Sequence, residues 1–189
     1  MIRRSLLTVV TVLSTVALPA CDDATGTRGT TDLSLFLTDF PGEVLSAVVH
    51  IDRIELVGAG EGVLEVGAPD EDFDLIELQG EPALLAAPVT VPSGSYAQLR
   101  LIVTDACLVV DGEEGAPDAI YTSSPAYSAE CEEVGRQVVG DLILPSLSET
   151  GIKVNLPGGS LELEGEQKNL VLDWDVAQSF GQQAGMSGN

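Results

Sequence analysis

The chain has 189 residues, a formal net charge of −22 at pH 7 and a hydrophobic content of 44%. So acidic a surface repels phosphate backbones, which argues against a nucleic-acid partner. Aromatic residues make up 4% and histidine occurs once, so sugar-stacking platforms and histidine-rich metal centres have little to draw on.

The first residues, Met1-Ile2-Arg3-Arg4, are positive, and 6–18 is an uncharged apolar run. This is the layout of an export signal, and the run is shorter than the ~20 residues that cross a bilayer. It ends in Leu18-Pro19-Ala20-Cys21, which resembles the lipobox of bacterial lipoproteins, where a cysteine after a small residue is lipidated before the leader is cut. The resemblance implies a lipoprotein signal peptide over 1–20 and a mature chain that begins at lipidated Cys21. It also implies an exported protein, lipid-anchored to a bacterial cell membrane on its periplasmic or outer surface. Two or more acyl chains, at ~0.8 kcal/mol per buried methylene, hold a protein stably where one does not. In the competing reading Cys21 is an unmodified cysteine and cleavage falls elsewhere.

Residues 21–31 continue as "CDDATGTRGTT", a small, polar, turn-prone tether whose ten residues after Cys21 reach about 30 Å when extended. Strand signals begin at Asp32, where Leu33, Leu35 and Leu37 alternate with Ser34, Phe36 and Thr38. In 46–57, Val49 and Ile51 share one side while Ile54 and Leu56 fall on the other, which predicts a bulge near Asp52. Short β segments at 63–66 and 73–78 flank the acidic turn Asp70-Glu71-Asp72. Residues 83–87 read as one helical turn, followed by strand at 89–91 and a turn at Pro92-Ser93-Gly94.

Alternation over 95–104 predicts a strand with Ala97, Leu99, Leu101 and Val103 inward and Tyr96, Gln98, Arg100 and Ile102 on the opposite face. β structure continues over 107–111, a long loop fills 112–130, and strand resumes at 134–144. Three alternating segments at 152–156, 161–164 and 168–176, separated by glycine turns, predict an antiparallel three-stranded meander. In its last strand Leu170, Leu172, Trp174 and Val176 face in, with Asp173 and Asp175 outward. The tail, 178–189, has no pattern and is predicted loose. Many short strands with frequent turns give an all-β fold, an antiparallel β-sandwich or barrel, as one domain over 32–177.

Cys107 and Cys131 remain once Cys21 is assigned to lipid. In an exported chain they predict a disulfide, which would stabilise by roughly 3.5 kcal/mol through closure of the 107–131 loop. The alternative leaves both reduced or metal-bound, but there is no CxxC and His50 is the only histidine.

The stretches "LSLFLTDFPGE", "AVVHIDRIELVGAGEG", "FDLIELQGEPALLAAPVTVPSGSYAQLRLIV" and "GIKVNLPGGSLELEGEQKNLVLDWDVAQS" occur in that order over 33–179. Together they resemble the DUF4382 domain, a domain of unknown function in bacterial and archaeal envelope proteins, often lipoproteins. The resemblance implies a β-sandwich, Ig-like or transthyretin-like, with a P-x-G-x-Y turn at Pro92 to Tyr96 similar to that of carboxypeptidase-regulatory-like domains. It brings no catalytic residues and no cofactor. The segment from Cys107 to Cys131 is longer than the connection the family leads one to expect.

Two aspartates, Asp173 and Asp175, would sit ~7 Å apart on one strand face, within the range of a glycosidase acid and base. The same pattern arises when both simply face water. The acidic stretches at 70–74 and 111–114 offer oxygen ligands for calcium, without EF-hand spacing; the alternative is solvated turns. His50, mid-strand, reads as an ordinary strand side chain. Tyr121 and Tyr127 are the clustered aromatics in a polar loop, and mark it as a possible ligand-binding loop for a carbohydrate or protein of the envelope. The sequence thus points to a membrane-anchored, non-enzymatic binding or structural module, with no metal or cofactor expected. The alternatives are a carboxylate-dependent, glycosidase-like hydrolase and a calcium-binding surface protein.

Overall fold

In the computed structural model, the residues described are 29–40, 44–58, 62–112, 115–131, 136–144, 147–154 and 156–176. They form eleven strands: β1 (Thr30–Phe40), β2 (Ser46–Gly58), β3 (Val63–Gly67), β4 (Glu71–Asp74), β5 (Ala83–Pro92), β6 (Gly94–Val110), β7 (Ala119–Thr122), β8 (Gln137–Asp141), β9 (Ile152–Val154), β10 (Leu161–Leu163) and β11 (Gln167–Asp175). The helical pieces among them are single turns of three or four residues. β1 starts at Thr30, so the last two residues of the expected tether belong to the first strand. Both the leader over 1–20 and the tail over 178–189 lie outside the described residues.

The strands make two sheets that pack face to face as a β-sandwich, and neither closes into a barrel. The smaller has the order β11-β1-β5. The larger is built on β6, whose 17 residues give it two long edges. One edge carries β2 along its length, and the other carries β10, β9 and β7 in succession, with β8 beyond β7. β3 and β4 line the far side of β2. Between the sheets lie Leu33, Leu35 and Leu37 of β1, Leu172 and Trp174 of β11, and the inward residues of β2 and β6.

Three register jumps keep one face of the long β2–β6 pair apolar. At Asp52 and at Thr104 one strand carries an extra residue: His50 pairs with Asp105, Ile51 with Val103, and Arg53 with Ile102. The bulge expected near Asp52 is therefore present, and it returns Ile54 and Leu56 to the side of Val49 and Ile51, all four fully buried. The third jump skips Ala97, between Val57–Gln98 and Gly58–Tyr96. It reverses the expected facing there, burying Tyr96 to 8% exposure and leaving Ala97 outside.

Several expectations from alternation and composition are corrected. The sandwich is mixed rather than antiparallel, because β1 pairs with β11 and β7 with β8 in parallel. Residues 83–87 are strand, not a helical turn, since they supply the antiparallel partner of β1. The C-terminal segments do not form a meander: β9 and β10 each pair with β6, while β11 crosses to the other sheet. Nor is 112–130 a plain loop, since it contains β7 and a 3-10 turn at Tyr127–Glu130.

Candidate functional site

Ahead of the bulge at Asp52, β2 alternates so that Val49 and Ile51 enter the main core while Val48 and His50 face the outer side of the larger sheet. Directly across from His50 stand Asp72 on β4 and Asp105 on β6. Just before β4 the backbone of Asp70 is left-handed, with φ 48°, a conformation that aspartate accepts more readily than most residues. The result is an imidazole held at both ends: Nδ1 lies 2.8 Å from Oδ1 of Asp72, and Nε2 lies 3.1 Å from Oδ1 of Asp70.

The segment that follows β7 folds down over this face. Cys107 and Cys131 form a disulfide with a Cα–Cα distance of 6.2 Å. Both are buried, in a small outer cluster with Val48, Val109 and Ile120, against which Tyr127 packs. Ser124 shapes the chain into its 3-10 turn, accepting from the Tyr127 amide at its carbonyl (3.1 Å) and its hydroxyl (3.2 Å). Asp105 holds the start of the segment by accepting from the hydroxyls of Ser123 (3.0 Å) and Ser124 (3.3 Å). The phenol of Tyr127 then donates to Oδ1 of Asp72 at 2.6 Å. A chain of contacts, Tyr127–Asp72–His50–Asp70, thus ties the stapled segment to β2 and β4.

The electrostatics of this cluster are one-sided. Burial by itself would favour neutral His50, but hydrogen bonds to Asp72 and Asp70 outweigh it, and their charges add to them, so the imidazole pKa is raised above 6.5. Tyr127 is pushed well above the usual phenol range, by burial first and then by the Asp72 carboxylate it bonds, with Glu130 and Asp105 contributing. It therefore stays a donor at any physiological pH. Within the cluster the carboxylates accept, the phenol donates, and the imidazole is engaged at both nitrogens.

The two tyrosines picked out in the sequence do not share a surface. Tyr121 lies on β7 beside Ile120, with the opposite facing: Ile120 joins the outer cluster, while Tyr121 packs against the main core and under Gly140. Only Tyr127 belongs to the outer site. Asp173 is exposed on β11 and Asp175 is half-buried, opposite Thr38 and Phe40 of β1. Cys21 lies outside the described residues.

Of the acidic stretches weighed for calcium, Asp70 and Asp72 are engaged with His50. Asp74 accepts from the Ser46 hydroxyl and the Ile76 amide. Residues 113–114 lie outside the described residues, and among the described ones no group of three or more His, Cys, Asp or Glu is arranged to hold a metal. Sequence reasoning missed the role of His50. Its shared facing with Val48 could have placed it on the outer side, but the partnership with Asp72 depends on β4 pairing with β2, which no local pattern announces.

The family described as "Domain of unknown function (DUF4382)" matches residues 30–189, so the chain belongs to that family. No curated protein and no solved structure matches the chain.

Proposed function

We propose that this DUF4382 protein is an exported lipoprotein of the bacterial envelope, held on a membrane through lipidated Cys21 and presenting a non-catalytic β-sandwich as a binding or structural module. The observation that carries this reading is the fate of the cysteines. Of the three in the chain, Cys107 and Cys131 are paired and buried. That pairing suits an oxidising compartment and leaves Cys21, at the end of an apolar leader-like run, for another use. The reading assigns recognition to the outer face around Tyr127 and the stapled segment, where exposed Pro125, Ala126, Ala129 and Glu130 border the tyrosine. The ligand in this reading is a protein or carbohydrate of the envelope, since the acidity of the chain disfavours nucleic acid.

Replacing the anchor tests this directly. Expressed in a bacterium, the wild-type protein is expected in the membrane fraction, released by detergent but not by salt. Cys21→Ser should appear in the soluble fraction or keep its leader. Equal membrane recovery of both forms with the leader removed would overturn the reading.

A further inference from the structure

We propose that the stapled segment 123–131 is a pH-sensitive latch, docked on the outer face while His50 is a cation shared between Asp70 and Asp72 and loosened when His50 loses its proton. The geometry demands the cation. Both ring nitrogens lie within hydrogen-bond distance of a carboxylate oxygen, ionised carboxylates only accept, and a neutral imidazole has only one N–H. Deprotonation therefore sets a nitrogen lone pair against a carboxylate on one side. The same oxygen of Asp72 that faces Nδ1 also accepts from Tyr127, so a shift of that carboxylate removes the phenol's anchor. The disulfide holds the far end of the segment and β7 the near end. Release is consequently a local lifting of the 3-10 turn, which uncovers Tyr127 and the apolar surface of Val48 and Ile120.

The charged groups around His50 favour its cation, against the opposing effect of burial. β4 and the turn before it contribute Asp72 and Asp70, β6 places Asp105 opposite His50, and the 3-10 turn contributes Tyr127, whose own neighbours include Glu130. On β2 itself, Asp52 is bonded to Arg53, whose other partner is Glu55. Glu71 alternates to the side opposite Asp72. A net negative surround favours the imidazolium, in line with the raised value for His50. Docking is then favoured while His50 is protonated and weakens as pH rises through the raised value His50 has in the docked state.

Hydrogen exchange on the full-length protein in detergent, disulfide intact and corrected for intrinsic rates, tests the latch without needing a ligand or a membrane assay. Peptides covering 123–131 should lose protection by about tenfold between pH 6 and pH 9, the size of one hydrogen bond to a charged group, while β1 and β11 peptides stay constant. The C2 proton of the single histidine should titrate with the same midpoint, above 6.5. His50→Gln should be unprotected at both pH values, and His50→Arg, a permanent cation, protected at both. Protection in 123–131 that does not change with pH in the wild type, or that changes identically in His50→Gln, would overturn the proposal. Should the Arg variant not fold, a wild-type histidine midpoint at or below 6.5 decides against it equally. Failure of the lipid anchor would leave all these readings unchanged, so the two proposals fall separately.

Discussion

The phenol of Tyr96 donates to the carbonyl of Pro92, four residues back, at 2.7 Å. Its ring fills the core beside the turn that joins β5 to β6. Tyr96→Phe keeps the ring and removes the bond, so it should lower the unfolding free energy by about 1 kcal/mol in a denaturant titration; an unchanged midpoint would mean the turn does not need the tie. His50 carries a second single-residue prediction. Because its pKa is raised on folding, its stabilisation is fully present below pH 6.5 and declines as pH rises through the folded value. A thermal-melt series should therefore show Tm falling over that window in the wild type, and a flatter profile in His50→Gln. Tyr96 also shows where local pattern fails. Strict alternation sends it outward, and only the extra residue at Ala97, a property of how β6 pairs with β2, turns it in.

Among the elements, β1 and β11 were legible because their mutual pairing is regular and alternation holds along both: Leu33, Leu35 and Leu37, then Leu172 and Trp174, all face the core. β5 was not, because Ala83-Leu84-Leu85-Ala86-Ala87 is helix-prone in isolation and becomes strand by pairing with β1. The glycine turns at the C-terminal end mark strand ends but not partners: β9 and β10 pair with β6, and β11 with β1. Gly151 is the tightest of these joints. Its φ is 70°, and a Cβ there would lie 2.7 Å from Ile102 Cδ1 and 2.8 Å from the Leu101 carbonyl. Gly151→Ala should cost about 1–3 kcal/mol from the backbone alone, plus the displacement of β6. Calorimetry checks this, and a neutral result would contradict the placement of β9. The disulfide is an element-scale restraint too. Cys107→Ser with Cys131→Ser should lower stability by roughly 3.5 kcal/mol on the loop-entropy account, and exchange protection should fall first in 123–131.

For the molecule as a whole, strand patterning pointed to an all-β sandwich or barrel, the family resemblance to a sandwich, and the cysteine count to a pair, whereas the mixed pairing and the outer site depended on contacts between strands distant in sequence. No helix among the described residues is long and apolar enough to cross a membrane; the proposed attachment is through Cys21. The two ends of that account meet in the cysteines: one pair closes the outer face of the sandwich, and the third is the proposed site of the lipid. The most direct measurement is the intact mass of the protein purified from bacterial membranes, with and without reductant. The account predicts a chain that starts at Cys21, carries added acyl mass, and gains two hydrogens on reduction as one disulfide opens. A product that retains residues 1–20, or one that starts elsewhere without acyl mass, would contradict it.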